Sequence, residues 1–233
     1  MTTAGSSKHG FFDYFDDQLQ IGGLIGFILL IVVFQMMIAK SNDYVDASNK
    51  RRLQHAITGH ALVQISYMLP YKICIAALCI GCIGFLIART YFPIWFYTTF
   101  HSLLRSEEKS GKVLPGAFYF LIGTTISALL TTEDKLYIAR YAVECLAVAD
   151  PIASYVGSKI SSPQLCQGST LSGCVACFIT SLCVGYVMLL GCSWSVLILG
   201  AVACTISEAI PFGNDNLNIP IATTVTVLLA TKG

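Results

Sequence analysis

Long apolar stretches recur along the chain, and short polar segments separate them. The clearest stretches cover residues 21–39, 73–88, 114–130 and 171–190. Shorter or more polar ones cover residues 55–69, 136–156, 194–206 and 219–230. A helix of about 20 apolar residues can cross a membrane, and shorter helices need support from neighbours. The pattern therefore predicts an all-α fold, a polytopic transmembrane helical bundle of about eight spans, with seven as the alternative.

The same pattern divides the chain into two parts. Residues 1–20 form a polar N-terminal segment that carries Asp13, Asp16 and Asp17 and lacks a basic region. The first apolar run then ends at Ala39 without a convincing cleavage site, so we interpret it as an uncleaved signal anchor. We expect residues 21–233 to form a single membrane-embedded domain of catalytic type.

Composition supports an integral membrane protein and excludes other classes. Hydrophobic residues make up 55% of the chain and charged residues 12%, with a mean hydropathy of +0.70. The net charge is +1, and no basic block argues for nucleic acid. Most of the ten cysteines lie in apolar runs. We therefore expect the CxxC pairs Cys79/Cys82 and Cys174/Cys177 to pack rather than bind zinc.

Charge in the loops predicts an orientation. With eight spans, nine Lys and Arg residues fall on one side and four on the other. The positive-inside rule makes the richer side cytosolic. Loops around residues 51–52, 157–170 and 212–218 share that side, where a water-soluble nucleotide could meet a lipid. We expect the aromatic segment at 91–100 to lie along the interface, and the charged loop at 101–113 to be a solvated face.

Two carboxylates inside one apolar run are the strongest chemical signal. A charge near the middle of a bilayer costs about 2.5–3.5 kcal/mol on insertion scales, so Glu144 and Asp150 each need a partner, water or a metal. Arg140 lies four residues before Glu144, which predicts an ion pair within the helix. Pro151 predicts a kink or helix end. Asp150 beside it suits a Mg²⁺ ligand, and a structural pair is the alternative.

A phosphate site is the second candidate, in the segment 157–170. Ser169 or Thr170 can cap the following helix, whose free N–H groups favour an anion. Gly168 allows close approach of the backbone, and Lys159 could add a positive charge. An ordinary capped helix after a flexible loop is the alternative.

Two further polar segments complete the set of candidates. The loop from Glu208 to Pro220 carries only acidic charges and includes Asp215 and Asn216, whose oxygens suit either a turn or a metal. The segment from Arg51 to His60 opens the second span. Arg51 and Arg52 either contact phosphates or only follow the positive-inside rule, His55 orients a phosphate or moves a proton, and His60 packs.

These segments, in this order, resemble the superfamily of CTP-dependent lipid kinases and phosphatidate cytidylyltransferases, which includes dolichol kinase, phytol kinase and fungal-type diacylglycerol kinase. The likeness spans residues 51–222. It is carried by Arg51-Arg52 with His55 and Gly59; Pro115-Gly116; Asp150 with Ala153, Val156-Gly157 and Lys159; Gly168-Ser169; and Glu208 with Asp215-Asn216-Leu217 and Pro220.

The resemblance implies transfer of phosphate from CTP to a membrane lipid alcohol, namely dolichol or another polyprenol, phytol or diacylglycerol, at the cytosolic face of the endoplasmic reticulum or another endomembrane. It implies catalytic roles for Asp150, His55 and Asp215. The implied Mg²⁺ ligands are Asp150, Asp215 and Glu208, with Asn216 and Glu144 in support. The implied phosphate contacts are Arg51, Arg52, Lys159, Gly168 and Ser169.

The chain departs from the family pattern at three positions. Ala149 stands where family members usually have Gly, and Gln164 and Gln167 stand where they commonly have Lys and Glu. These departures weaken the expected phosphate and metal sites, which leaves a noncatalytic member as an alternative. Phosphatidate cytidylyltransferase is the enzymatic alternative. A small-solute transporter that uses Arg140 and Glu144 as a translocation pair is the third, although no inverted repeat is visible.

Overall fold

A computed structural model describes residues 26, 29–30, 33–38, 46–101, 104–166, 168–210 and 213–232. These residues are mostly helical, so the all-α prediction is confirmed for them. The polar N-terminal segment and most of the first predicted span lie outside the described residues. The described residues of that span, 26, 29–30 and 33–38, are helical, and Gln35 Nε2 donates to Thr58 Oγ1 at 2.7 Å.

The helices follow one another with short connections. They are α1 (Ala47–Met68), α2 (Tyr71–Tyr91), α3 (Pro93–Phe100), α4 (Ser106–Lys109), α5 (Gly116–Leu130), α6 (Leu136–Glu144), α7 (Asp150–Lys159), α8 (Leu171–Met188), α9 (Trp194–Ala209) and α10 (Asp215–Ala230). A 3₁₀ turn at Glu133–Lys135 precedes α6. Strands β1 (Gln164–Cys166) and β2 (Ser169–Thr170) pair antiparallel as a small hairpin before α8.

Two helices begin earlier than the apolar pattern predicts, because polar residues cap them. Helix α1 starts at Ala47 rather than 55, and the Asp46 carboxylate accepts a hydrogen bond from the Ser48 N–H at 3.2 Å. Helix α10 starts at Asp215 rather than 219, with the Asn214 side chain accepting from the Asn216 N–H at 3.1 Å. Capping supplies acceptors for the free N–H groups of a first turn. Arg51, Arg52 and His55 therefore lie within α1, and Asp215 and Asn216 lie in the first turn of α10.

The helix does not end at Pro151, so that part of the prediction is wrong. A π-helical segment, Cys145–Ala149, joins α6 to α7, and the N–H of Asp150 donates to the carbonyl of Cys145. Proline lies at the second position of α7, within the first turn, where its missing N–H is tolerated. The extra residue of a π turn changes the face on which the following side chains lie. This irregularity lies directly before Asp150.

The continuous helix from α6 to α7 is the centre of the bundle. Tyr141, Leu146, Ala147 and Ala149 on it are fully buried, together with Ile138. Helices α1, α5, α8 and α10 pack around this central helix, and Gly200 of α9 lies against Tyr141. The functional candidates Glu144 and Asp150 therefore lie at the core of the bundle, and the other candidates reach them from the surrounding helices.

Membrane association is supported by two described helices, α2 and α8, which are long and apolar enough to cross a bilayer. Helices α5 and α9 are apolar but shorter. Large apolar side chains face outward on α2, α3 and α8, including Ile80, Ile94 and Val187. The eight-span bundle itself stays a prediction, because the other helices of the described segments are too short or too polar to qualify on their own.

Candidate functional site

Asp150 meets His55 between α7 and α1. The His55 Nδ1 lies 3.2 Å from Oδ2 of Asp150, and both side chains are mostly buried. The His55 ring also stands edge-on to Phe120, with 4.9 Å between the ring centroids. Its other nitrogen, Nε2, is buried and has no hydrogen-bond partner among the described residues. A histidine fixed in this way can orient a carboxylate or hold a proton.

Arg52 also links α1 to α7, about one helical turn from the His55–Asp150 contact. Its Nε donates to Ser154 Oγ at 3.0 Å, and Nη2 donates to the Ser154 carbonyl at 3.1 Å. Its Nη1 donates to Asn49 Oδ1 at 2.8 Å. Arg52 therefore has a structural role between α1 and α7, whether or not it also contacts phosphate. Arg51 lies beside it and Lys159 lies exposed at the end of α7, and their phosphate roles stay predictions.

The β-hairpin presents the predicted phosphate turn at the start of α8. Gly168 has φ +96°, a backbone conformation that suits glycine, and the space where a side chain would lie is open. Ser169 is buried, and its hydroxyl donates to the Glu208 carbonyl at 3.4 Å. Thr170 Oγ1 accepts from the Gly173 N–H at 3.3 Å, which confirms the predicted helix cap. The turn is thus linked to the end of α9.

A close helix crossing holds this hairpin against α7. A Cβ on Gly157 would lie 2.6 Å from Thr170 Oγ1 and 3.5 Å from the Gly173 backbone. Only glycine allows α7 and the start of α8 to approach this closely. The Gly157-Lys159 end of α7 and the Gly168-Ser169 turn therefore belong to one region of the molecule, as the sequence predicted.

Glu208 and Asp215 complete a group of carboxylates with Asp150. Both lie outside the predicted spans, which end at Ile206 and resume at Ile219. Burial, then the charges of Asp150 and Asp215, raise the pKa of Glu208 to about 7. Burial, then Asp150, raise the pKa of Asp215 to about 6, although Arg105 and His55 act to lower it. The site therefore holds more negative charge than its protein cations neutralise.

Arg105 and Glu108 lie in the loop 101–113, for which the sequence pattern predicts a solvated face. Glu108 is instead buried, so that prediction is wrong for this part of the loop. Its carboxylate accepts from the Arg105 N–H at 2.8 Å and from the Gly116 N–H at 2.7 Å. The Glu at the third position of α4 resembles half of a capping box, which was the available signal.

Asn216 connects this loop to the carboxylates. Its Nδ2 donates to the Gly116 carbonyl at 2.9 Å. Glu108 therefore binds the N–H of Gly116, and Asn216 binds its carbonyl. Asp215 is the neighbour of Asn216 in α10. The bracket formed by Glu108, Gly116 and Asn216 explains how Arg105 comes close enough to Asp215 to affect its pKa.

Arg140 and Glu144 do not pair with each other, which corrects that prediction. Arg140 Nε donates to Ser66 Oγ at 2.8 Å, and its guanidinium lies 3.8 Å from the centroid of the Tyr67 ring. Glu144 Oε1 lies 2.8 Å from Nδ1 of His60. The helix spacing placed both charges correctly on one face, but each takes a partner on α1. His60 is exposed rather than packed.

The remaining residues singled out in the sequence are the cysteines and the three positions that depart from the pattern of the resembled family. All ten cysteines are free, and Cys74, Cys174, Cys177 and Cys204 are buried as expected, whereas Cys183 is exposed. Ala149 is fully buried beside Asp150. Gln164 lies in β1, and Gln167 lies outside the described residues. Among the described residues, no three His, Cys, Asp or Glu side chains converge tightly enough to hold a metal alone.

Comparisons of the chain with protein-family models, with curated proteins and with solved structures find no match.

Proposed function

We propose that this protein transfers the terminal phosphoryl group of CTP to the hydroxyl of a membrane lipid alcohol. One observation carries the proposal. The carboxylates Asp150, Glu208 and Asp215 lie close enough to influence one another, with His55 and Arg105 beside them. The nucleotide and the lipid classes come from the family resemblance: dolichol or another polyprenol, phytol and diacylglycerol. We propose that the site faces the cytosol in the endoplasmic reticulum or another endomembrane.

The carboxylates fit Mg²⁺ in a nucleotide-dependent way. This ion uses one or two protein carboxylates and takes its remaining ligands from phosphate oxygens and water, so three converging side chains are not required. Asp150 and Asp215 would hold it, with Glu208 nearby. Burial, and then repulsion from neighbouring carboxylates, raises the pKa of Asp215 and Glu208, and a bound cation would offset that repulsion. Bound there, Mg²⁺ would neutralise and align the phosphates of CTP.

The protein side chains supply position and a proton acceptor. His55 holds the Asp150 carboxylate from one side, so an acceptor hydroxyl placed at this pair can lose its proton as it attacks. Arg105, held by the Glu108 bracket, supplies positive charge at the carboxylates. The open Gly168 turn leaves room for a phosphate beside the hairpin backbone. The expected free N–H groups at the start of α8 are not available to it, because those of Leu171, Ser172 and Gly173 already donate to the Pro163 carbonyl, Ser162 Oγ and Thr170 Oγ1. Phosphoryl transfer needs chiefly such alignment and charge neutralisation.

The deciding experiment incubates the purified protein in lipid vesicles with Mg²⁺, a panel of lipid alcohols and CTP labelled either at the γ-phosphate or in the cytidine. We expect γ-label on a lipid alcohol. Cytidylyl label on phosphatidate would instead establish the cytidylyltransferase alternative. Label on neither would favour a noncatalytic protein or a transporter, although Arg140 and Glu144 do not form the pair that suggested transport.

Asp150→Asn tests the proposed centre directly. We expect turnover to fall by about 10²–10⁴-fold, because the substitution removes a proton acceptor and a metal ligand while keeping the side-chain shape. Asp134→Asn is the matched control, since Asp134 is an exposed loop carboxylate near the start of α6. Equal turnover of Asp150→Asn and the control would overturn the assignment of Asp150.

A further inference from the structure

A second polar cluster lies deeper along the same helices and is not used by the proposed centre. On α1 it comprises His60, Gln64 and Tyr67, spaced three or four residues apart on one side of the helix. Facing them across the α1–α6 contact are Glu144 and Arg140. We call these five residues the polar seam. His60 is 57% exposed at its side chain, so the seam opens at the outer surface of the described residues.

Glu144 has unused hydrogen-bonding capacity within this seam. The residue is only 9% exposed, and one carboxylate oxygen, Oε1, lies 2.8 Å from His60 Nδ1. The other oxygen, Oε2, is buried and has no hydrogen-bond partner among the described residues. A buried acceptor without a partner costs about 1–3 kcal/mol, and more if it is charged. A ligand that donates a hydrogen bond would remove this cost.

We propose that the polar seam is the lateral entrance for the lipid acceptor and that Glu144 Oε2 accepts a hydrogen bond from its hydroxyl, which makes the substrate a neutral long-chain alcohol. This inference rests on the proposed function. A helix flank that opens toward lipid lets the chain of the alcohol stay in the bilayer while its only polar group enters the protein. Glu144 then supplies the acceptor that hydrocarbon lacks.

The seam leads toward the proposed centre. Glu144 lies six residues before Asp150 on the central helix, about 9 Å by helical rise. His60 lies five residues after His55 on α1. The His60–Glu144 and His55–Asp150 contacts are therefore consecutive links between the same two helices. The close contact of Gly59 with Ala147 lies between these two links, so α1 and the central helix must separate there before a hydroxyl can pass from Glu144 to Asp150.

The chemistry of the seam separates a neutral alcohol from phosphatidate. Glu144 Oε2 offers an acceptor to an O–H donor, whereas the phosphate oxygens of phosphatidate are themselves chiefly acceptors and do not complement it. Arg140 does not reverse this preference, because it lies four residues farther from Asp150 and is engaged by Ser66 and Tyr67. The seam thus favours the kinase reaction over cytidylyl transfer, whose acceptor is a phosphate.

The test uses a long-chain primary alcohol that carries a photoreactive diazirine, and its phosphate monoester as the comparison. The full-length protein in phosphatidylcholine vesicles is illuminated without nucleotide, and labelled residues are located by mass spectrometry. We expect the alcohol to label the α1 stretch from His60 to Tyr67 and the phosphate ester to label it at least tenfold less. Equal labelling by both probes, or labelling elsewhere, would overturn the inference.

Variants separate binding from folding. Glu144→Gln should reduce alcohol labelling of the seam about tenfold, whereas Glu133→Gln, an exposed carboxyl group in the 3₁₀ turn, should leave it unchanged. Gln64→Phe should narrow the entrance and reduce labelling even if Glu144→Gln fails to fold. Unchanged labelling in the folded variants would refute the role of Glu144. Because no CTP is present, a seam that binds alcohol in a protein without turnover would refute only the kinase function.

Discussion

At the scale of single residues, the carboxylates of the candidate site are defined by what surrounds them. Asp150 has His55 as a direct partner, whereas Glu208 Oε2 is buried without one among the described residues. Burial raises the pKa of Asp215 to about 6, although Arg105 and His55 act to lower it. The balance of charge therefore favours binding of a proton or a cation at this site.

The stability of the protein should consequently depend on pH and on divalent cations. Unfolding returns the pKa of Glu208 from about 7 to 4.5, and that of Asp215 from about 6 to 3.8. Between these values the folded state binds more protons than the unfolded state, so stability falls as pH rises from about 4 to 7. We expect a lower unfolding temperature at pH 8 than at pH 5 without divalent cations, and recovery at pH 8 with Mg²⁺ and CTP.

Variants identify the groups responsible for this pH dependence. Glu208→Gln should flatten the decrease in unfolding temperature, because it removes the titrating group with the higher pKa. Arg105→Gln should move the titration of Asp215 to higher pH, because Arg105 acts to lower the pKa of Asp215. Lys112→Gln, which removes an exposed cation of the same loop, is the control and should change neither. A pH profile that is the same in all three variants would contradict the assignment.

At the scale of the elements, the contact between α1 and the π-helical segment sets the position of His55 relative to Asp150. A Cβ on Gly59 would overlap the Ala147 side chain and lie 3.1 Å from Phe120. The His60–Glu144 contact starts at the residue directly after Gly59, and the His55–Asp150 contact lies one helical turn before it on α1. A side chain larger than hydrogen at residue 59 would therefore separate both pairs at once.

Gly59→Val should destabilise the protein by about 1–3 kcal/mol, the usual cost of overpacking a close contact. Gly81→Val provides a matched control in α2, because no atom lies within 4 Å of the added Cβ. Both changes put the same β-branched residue into a helix, so helix propensity cancels between them. Thermal unfolding in the same detergent measures the difference, and equal unfolding temperatures would refute the close crossing.

The sequence predicts most of these elements and only part of their contacts. The apolar runs locate the helices, and the Thr170 cap is readable from its neighbours. The π-helical segment is not readable, because its residues Cys145–Ala149 look like any apolar helix. The spacing of Arg140 and Glu144 predicts a shared face correctly but cannot show that α1 supplies a partner to each. Likewise, the sequence cannot show that the bracket around Gly116 brings the loop of Arg105 to the start of α10, where Arg105 affects the pKa of Asp215.

At the scale of the whole molecule, the outward-facing apolar side chains imply that lipid covers much of the bundle. Helix α2, with 21 residues, is about 31 Å long, which matches a hydrocarbon core of about 30 Å. Helix α8 is the second that meets this length. The candidate site lies where α7 and α10 begin and where α9 ends, with Glu208 and Asp215 outside the apolar runs and Asp150 inside one. The apolar outer faces of α2 and α8 would contact lipid, and the acidic end of the bundle would contact water.

Two exposed cysteines test this arrangement. Cys183 lies on α8 about 18 Å from the start of the helix, whereas Cys166 lies in the β-hairpin. In intact membranes, a water-soluble maleimide should label Cys166 and spare Cys183. A lipid-soluble maleimide should label both. Mass spectrometry identifies the modified thiols, and fast labelling of Cys183 by the water-soluble reagent would show that α8 does not cross the bilayer.

The shortness of α5 has a consequence for where the proposed reaction would take place. Its 15 residues extend only about 22 Å, some 8 Å less than the hydrocarbon core of an ordinary bilayer. If α5 crosses the membrane, the surrounding leaflet must thin to meet its ends. Gly116, where α5 begins, is bound by Asn216, so the acidic end of the bundle would lie in a local dimple below the neighbouring headgroups. A soluble nucleotide would then descend to the lipid, and the acceptor would not need to rise out of its leaflet.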